Sequence, residues 1–116
     1  MKTTNPLLIN TIRQLQKASK KYDAQVWAKL ANELERPKQR RATVNLSSIS
    51  RSIREGEIAA VPGKVLGAGK SSSICIAAFN FSETAKKKIE KAGGEYLSLE
   101  ALIEKNPRGS GVRIIV

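Results

Sequence analysis

The spacing of apolar residues near the start of the chain predicts a helix. Leu8, Ile12 and Leu15 follow one another at intervals of four and three residues, which places them on one face of a helix. Asn5 and Pro6 precede this stripe, and these residue types favour the N-cap and the first helical turn. The pattern therefore predicts a first amphipathic helix that starts near Pro6.

A second helix is predicted after Asp23, which we expect to cap it. Its apolar stripe consists of Val26, Trp27, Leu30 and Leu34. Pro37 ends this helix, because a residue that precedes proline avoids the helical region. On such a stripe, Trp27 is expected in the core rather than as a platform on which bases stack. A basic loop, PKQRR at 37–41, then leads to a third, short helix over 46–53.

From residue 57 onward the pattern changes to short apolar runs. Residues 58–61 and 64–66 are predicted as two short strands, separated by a turn at Pro62 and Gly63. Residues 73–79, SICIAAF, form a continuous apolar run that is typical of a strand buried on both faces. Cys75 lies within this run and is expected to be a small core residue.

The remaining pattern alternates between helices and strands. Ser82 is predicted to cap a helix that Gly93 and Gly94 end, and a strand EYLSL follows. Ser98 is predicted to cap a brief helix, and the apolar run VRIIV closes the pattern. Short strands alternating with helices predict an α/β fold, in which a mixed sheet has helices packed against it.

The charge of the chain is large and unevenly distributed. Lys and Arg number 21 against 10 acidic residues, for a net charge of +11. Residues 1–54 carry 12 basic and 3 acidic side chains (+9), whereas residues 55–116 carry 9 and 7 (+2). We therefore divide the 116-residue chain into a basic helical N-terminal extension, 1–54, and a compact α/β core, 55–116. An excess of this kind is typical of proteins that bind a polyanion.

The scarcity of histidine and cysteine argues against several chemical functions. The chain has no histidine and one cysteine, so it lacks the common general base, Ser-His and Cys-His pairs and cysteine-rich zinc sites. We predict no enzymatic activity, cofactor or metal. The single cysteine fits a reducing compartment, and MKTTNPLLIN lacks the apolar core of a secretory signal. No stretch is long and apolar enough to span a membrane, so no membrane partner is expected.

The stretch VPGKVLGAGKS at 61–71 resembles a phosphate-binding loop. Such a loop has four residues between its first glycine and its Gly-Lys-Ser or Gly-Lys-Thr, whereas five residues separate Gly63 from Gly69. It must also lead from a strand into a helix, but a strand is predicted to follow here. An enzyme that binds ATP or GTP stays a rival that calorimetry would test. We instead expect the glycines to allow tight turns and close backbone approach.

The composition leaves nucleic acid as the expected partner. Aromatic residues make up only 4% of the chain, which disfavours the reading of unstacked single strands on aromatic platforms. Dense cations on helices and loops fit the phosphate backbone of a folded nucleic acid. A nonspecific DNA-binding architectural protein would share this composition, and it stays open as the alternative function at this point.

Several ordered blocks of the sequence resemble the archaeal members of the ribosomal large-subunit protein eighteen-e family, which is related to bacterial large-subunit protein fifteen. The blocks are VPGKVLGAGK, FNFSETAKKKIEKAGGE and LSLEALIEKNPRGSGVRIIV, and TNPLLINTIRQLQKASKK and VNLSSISR upstream are also similar. The likeness covers nearly the whole chain. Family members often have an acidic residue between the two loop glycines, where this chain has Ala68.

The resemblance implies a core of irregular β-β-α units with a helical extension that lies on large-subunit ribosomal RNA. It implies a structural role in the large subunit, in the cytoplasm, beside neighbouring ribosomal proteins and without a small-molecule substrate. On this basis we predict RNA contacts at twelve cations: Lys20, Lys21, Arg36, Lys38, Arg40, Arg41, Arg51, Arg54, Lys64, Lys70, Arg108 and Arg113.

Overall fold

A computed structural model describes residues 5–116 of the chain. The elements, in chain order, are α1 (Pro6–Tyr22), α2 (Gln25–Leu34), β1 (Ala42–Asn45), α3 (Leu46–Ser52), β2 (Ile58–Leu66), β3 (Cys75–Phe81), α4 (Glu83–Lys91), β4 (Glu95–Ser98), α5 (Leu99–Lys105) and β5 (Val112–Ile114). A single 3-10 turn, Lys38–Arg40, occupies the predicted basic loop. Residues 1–4 lie outside the described residues. They belong to the predicted extension and to MKTTNPLLIN, the segment considered above as a secretory signal.

The strands form one sheet in the order β1-β2-β3-β4, and β5 also pairs with β2. The pairings found within residues 5–116 are all parallel, whereas we expected strands of both directions. Parallel neighbours need crossover connections: α3 lies between β1 and β2 and α4 between β3 and β4, whereas residues 67–74 cross from β2 to β3 without a helix. The predicted α/β class with helices packed against the sheet is confirmed.

Strand β2 is continuous, which corrects the prediction of two strands separated by a turn. Pro62 and Gly63 lie within it, and the register with β3 shifts between Val61 and Lys64. A Cβ atom at Gly63 would collide with the carbonyl oxygen of Ala42 in β1. The glycine therefore permits close approach of two strands, and a bulge absorbs the irregularity that the turn signal suggested.

Strand β1 was not predicted from the sequence. It pairs with the same edge of β2 as β5 does. Ala42 to Asn45 pair with the second half of β2, from Gly63 to Leu66. Val112 to Ile114 pair with the first half, from Ile58 to Ala60. The longest strand is thus flanked by β3 on one side and by two short strands on the other.

Two apolar clusters lie on opposite faces of the sheet. Helices α1, α2 and α5 cover one face, where their buried side chains meet Ala60 and Ala77. Helices α3 and α4 cover the other, where Leu46, Ile49 and Ile89 meet Ala59 and Val61, among others. Residues alternate between the faces along β2 and β3, as the period of a strand requires. The central part of the sheet, which includes Ala59, Ala60, Val61 and Ala77, is therefore buried on both sides.

The junction between α1 and α2 differs from the sequence prediction in one respect. Asn5 caps α1 as expected, since its Oδ1 accepts hydrogen bonds from the backbone of Leu7 at 3.0 Å and Leu8 at 3.4 Å. Asp23 does not cap α2. It ends α1 with a left-handed φ of 50°, and Ala24 is the N-cap residue of α2. Asp is one of the few non-glycine residue types that tolerate this conformation, which explains its place here.

The other helix ends agree with the predictions. The hydroxyl of Ser82 accepts from the backbone N–H of Ala85 at 3.1 Å, and the hydroxyl of Ser98 accepts from that of Ala101 at the same distance. Gly93, with φ of 79°, follows the end of α4.

Two apolar residues singled out in the sequence take different environments. Trp27 is fully buried, as predicted, and its Nε1 donates to the carbonyl oxygen of Pro107 at 2.8 Å. Cys75 is only partly buried at the start of β3, so the expectation of a buried core cysteine is wrong. Desolvation by burial raises the pKa of its thiol, which is therefore in the neutral form near pH 7.

Candidate nucleic-acid interface

The glycine-rich segment connects β2 to β3 and lies against helix α3. Residues 67–74 contain no helix or strand. The backbone N–H of Ser47 donates to the carbonyl oxygen of Ala68 at 3.3 Å, and the backbone N–H of Ser72 donates to the Oγ of Ser50 at 3.3 Å. We call residues 67–74 the glycine connection. It is anchored to α3 at both of these points.

Helix α4 holds the same connection from the other side. The Nζ of Lys88 donates to the carbonyl oxygens of Gly67 and Gly69, the latter at 2.9 Å. A Cβ atom at Gly69 would collide with the side chain of Ser47, and its φ is 83°. The glycine is therefore required both by the left-handed backbone and by the contact with α3.

The path of the glycine connection differs from that of a phosphate-binding loop. It enters strand β3 rather than a helix, in agreement with the predicted strand. Its carbonyl oxygens at Gly67 and Gly69 face a lysine, whereas a phosphate loop directs backbone N–H groups toward its ligand. The glycines serve close contact between segments of the chain.

Three of the twelve predicted RNA-binding cations have partners within the protein. Arg36 forms an ion pair with Glu33 at 3.3 Å. Arg41 donates from its Nε to the carbonyl oxygens of Leu34 and Arg36, at 3.1 and 3.0 Å, and thereby caps the end of α2. This capping role was not foreseen from the sequence.

Arg113 is the third, and it forms the most extensive ion pair found among residues 5–116. Its Nε and Nη2 donate to the two carboxylate oxygens of Glu57 at 3.0 and 3.1 Å. The backbone N–H of Arg54 donates to the same carboxylate at 2.7 Å. These hydrogen bonds, first that from Arg113, lower the pKa of Glu57 below its ordinary value. The same pair raises the pKa of Arg113.

Most of the other predicted cations are exposed and carry no ion pair or side-chain hydrogen bond within residues 5–116. These are Lys20, Lys38, Arg40, Arg51, Arg54, Lys64, Lys70 and Arg108. Lys21 lies 5.3 Å from the centroid of the Tyr22 ring. An exposed cation without an internal partner can contact a phosphate without breaking a contact of the protein.

Lys64 lies on strand β2, outside the glycine connection. It is in register with Thr43 of β1 and Asn80 of β3, and all three residues are exposed. The next residue, Val65, belongs to the cluster on the α3–α4 face. Because successive side chains alternate, Lys64 lies on the face that α1, α2 and α5 partly cover.

A continuous stretch without acidic residues links several of these cations. Residues 36–54 contain six basic side chains and no Asp or Glu. The stretch begins at the end of α2, forms β1 and ends just after α3. It lies beside the glycine connection through the hydrogen bonds of Ser47 and Ser50. The backbone therefore gathers cations from distant parts of the sequence on adjoining segments.

Four lysine and arginine residues outside the twelve predicted cations are also relevant in the structure. Lys88 of α4 binds the glycine connection. Arg13 and Lys17 are exposed on α1, and Lys87 is exposed on α4. For α1 a signal existed in the sequence, since residues 6–22 contain four basic and no acidic side chains. Nothing in the sequence marked Lys88, because its partners lie about 20 residues away.

Comparison with known proteins identifies the family. The model of a family described as ribosomal protein 60S L18 and 50S L18e matches residues 2–116. The chain belongs to this ribosomal protein family. The predicted resemblance is therefore confirmed, and with it the prediction that the protein is a structural ribosomal protein rather than an enzyme.

Archaeal members of the family are similar to this chain over almost its whole length. The large ribosomal subunit protein eL18 of Methanoregula boonei is 48% identical over 113 residues, which cover 97% of this chain and 93% of the relative. That of Methanothermobacter thermautotrophicus is 47% identical with the same coverage. That of Archaeoglobus fulgidus is 42% identical over 117 residues, and the alignment covers both chains completely.

Two other features are absent from residues 5–116. None of the helices in this range has the length and apolar character needed to cross a membrane. No three His, Cys, Asp or Glu side chains in the same range are grouped so that they could hold a metal ion.

Proposed function

We propose that this protein is a structural constituent of the large ribosomal subunit that binds and stabilises folded large-subunit ribosomal RNA. Membership of the L18/L18e family supports the ribosomal role, and the names of the archaeal relatives support the large subunit. The same names favour this proposal over a nonspecific DNA-binding architectural protein. The partners would be ribosomal RNA and neighbouring large-subunit proteins, and the place of work would be the cytoplasm.

The observation that carries the RNA proposal is the stretch 36–54, with six cations and no acidic residue. We propose that its exposed and unpaired members, Lys38, Arg40, Arg51 and Arg54, contact phosphates, together with Lys70 of the adjoining glycine connection. Lys64 extends this set on β2, and Arg108 is exposed after α5. Arg36, Arg41 and Arg113 have internal partners, so their contribution to RNA binding would compete with those contacts.

The proposed mechanism is electrostatic. Lys and Arg that contact phosphates release the counterions condensed on the RNA, so the affinity falls as salt rises. Folded RNA is bound mainly through the shape and phosphates of its backbone, which suits a protein with few aromatic residues. The division into a basic extension, 1–54, and a core, 55–116, remains part of this proposal.

The experiment compares two variants that lose the same charge. Lys38→Gln with Arg40→Gln removes two unpaired cations, whereas Lys86→Gln with Lys105→Gln removes two that are paired with Glu83 and Glu95. Binding to a folded large-subunit RNA fragment is measured between about 50 and 200 mM salt. For the first variant we expect weaker binding. The slope of the logarithm of the binding constant against the logarithm of the salt concentration should be smaller in magnitude by about 1.5, since each lost phosphate contact contributes about 0.7 to 0.9 to it.

The slope measured for the control variant should differ from that of the wild-type protein by no more than about half the contribution of one phosphate contact. Equal losses for both variants would show that only net charge matters and would contradict the proposed contacts. Competition with duplex DNA tests the alternative function. If DNA displaced the RNA fragment at equal concentration, the DNA-binding function would be favoured instead.

A further inference from the structure

Helix α1 carries a row of cations that the acid-free stretch 36–54 does not include. Arg13, Lys17, Lys20 and Lys21 recur at intervals of three and four residues. At 100° per residue this row lies on the side of the helix opposite the buried residues Leu8, Thr11, Ile12, Leu15 and Ala18. It therefore faces away from the apolar cluster that α1 shares with α2 and α5. We call these four cations the α1 surface.

The α1 surface is electrostatically unopposed within its helix. Residues 6–22 contain no Asp or Glu. Arg13, Lys17 and Lys20 form no ion pair or side-chain hydrogen bond with any residue in the range 5–116, and all three are exposed. Four like charges on one helix destabilise it when nothing binds them, since neighbours three and four residues apart repel. A polyanion that contacts the row would relieve this repulsion.

A second cationic surface lies on the other side of the molecule. Arg51 is exposed on α3, two residues from the buried Ile49, and so points away from the sheet on the α3–α4 face. The backbone of Lys70 lies beside α3, where its carbonyl oxygen accepts from the hydroxyl of Ser50 at 3.5 Å. We call Arg51 and Lys70 the α3 surface. The sheet and both apolar clusters separate it from the α1 surface.

We propose that the α1 surface is a second RNA-binding site and that the protein holds two RNA duplex segments, one on each side of its sheet. This inference rests on the proposed RNA-binding function and adds Arg13 and Lys17 to its residues. The chemistry of the α1 surface suits a phosphate backbone, because each of its four members is a cation that can contact a phosphate. A rigid three-layer fold between the two surfaces would fix the spacing of the two segments.

The test uses two RNA duplexes of about 16 base pairs, a length that a small duplex-binding domain can span, labelled with a donor and an acceptor dye. Energy transfer reports two duplexes held by one protein, and anisotropy of one labelled duplex reports binding to any surface. Arg13→Gln with Lys17→Gln changes the α1 surface, and Arg51→Gln with Lys70→Gln changes the α3 surface. Lys86→Gln with Lys105→Gln is the control with an equal loss of charge. Glutamine keeps the helix propensity of Lys and Arg, and circular dichroism verifies the fold.

We expect energy transfer with the wild-type protein and with the control. For each of the two surface variants the affinity for the second duplex should fall about tenfold, while one duplex is still bound. Energy transfer that persists in the Arg13→Gln and Lys17→Gln variant would overturn the α1 site. A wild-type protein that binds only one duplex would overturn the two-sided arrangement. Failure of the underlying function would look different, since anisotropy would then show no binding at all.

Discussion

The Nζ of Lys88 in α4 donates a hydrogen bond to the carbonyl oxygen of Gly67, the first residue after β2. The same amine binds the carbonyl oxygen of Gly69. One lysine thus holds both ends of the turn from which the glycine connection starts. Of the four lysine residues on α4, Lys88 therefore has a structural role, whereas Lys87 and Lys91 are exposed.

Replacing Lys88 should destabilise the fold and loosen the glycine connection. Lys88→Met keeps most of the side-chain volume but removes the donor, so two carbonyl oxygens lose a charged partner. We expect a loss of about 1 to 3 kcal/mol in the free energy of unfolding, measured with urea. Amide hydrogen exchange at Lys70 and Ser72 should become faster. Lys87→Met, at an exposed position of the same helix, should change stability by less than about 0.5 kcal/mol; similar effects for both would contradict the role of Lys88.

Arg40 and Arg41 are adjacent but should have separable effects. Arg41→Ala removes the cap on the last turn of α2, so we expect a stability loss of about 1 to 2 kcal/mol in chemical denaturation. Arg40→Ala removes an exposed side chain without an internal partner and should leave the midpoint nearly unchanged while it weakens RNA binding. An Arg40→Ala variant as unstable as Arg41→Ala would show that the 3-10 turn needs both residues.

The pair between Glu57 and Arg113 should make stability depend on pH in the acid range. The pKa of Glu57 is lowered in the folded protein, so its contribution is present above the ordinary value of 4.5 and is lost as pH falls through the folded value. Glu57→Gln should therefore be less stable than the wild-type protein at pH 7. The difference should shrink below about pH 4.5, where the carboxylate of the unfolded chain is already protonated. A difference that stays constant from pH 7 to pH 3 would exclude the pair as its source.

Strand β1 should depend on the absence of a side chain at Gly63. Gly63→Ala places a Cβ atom against the carbonyl oxygen of Ala42, so the two strands must move apart. We expect a loss of about 1 to 3 kcal/mol in thermal or chemical unfolding, the range typical of overpacking. Ala68→Ser adds one atom at an exposed position of the glycine connection and serves as the control. A Gly63→Ala variant with wild-type stability would show that β1 can shift without cost.

Local signals predicted much of the fold. Asn5, Ser82 and Ser98 cap the helices that they were expected to cap, because a capping hydroxyl or amide acts within three residues of itself. Asp23 shows the limit of the same signal. It stands between two helices, where a polar residue can either end the first or begin the second, and the packing of α1 against α2 decides.

The elements that the sequence pattern predicted wrongly or missed depend on pairing partners that are distant in sequence. The Pro62–Gly63 pair favours a turn locally, yet pairing with β1 and β3 extends β2 through it. Strand β1 is four residues long and owes its conformation to that same pairing. In the candidate interface, charge and sequence indicated the basic extension 1–54 and its loop at 37–41. Which cations already have partners, as Arg113 has Glu57, is set by tertiary contacts that no local pattern contains.

The sharing of one β2 edge between β1 and β5 has a consequence for synthesis of the chain. Ile58 to Ala60 pair with strand β5, which lies more than 50 residues later in the chain and is therefore synthesised later. At about 5 to 20 residues per second, this half of the edge stays open for several seconds while the remaining chain emerges. Val26 of α2 meanwhile lacks its contact near Gly109. The newborn chain therefore exposes an unpaired strand edge, which another strand could pair with, before its own last strand is made.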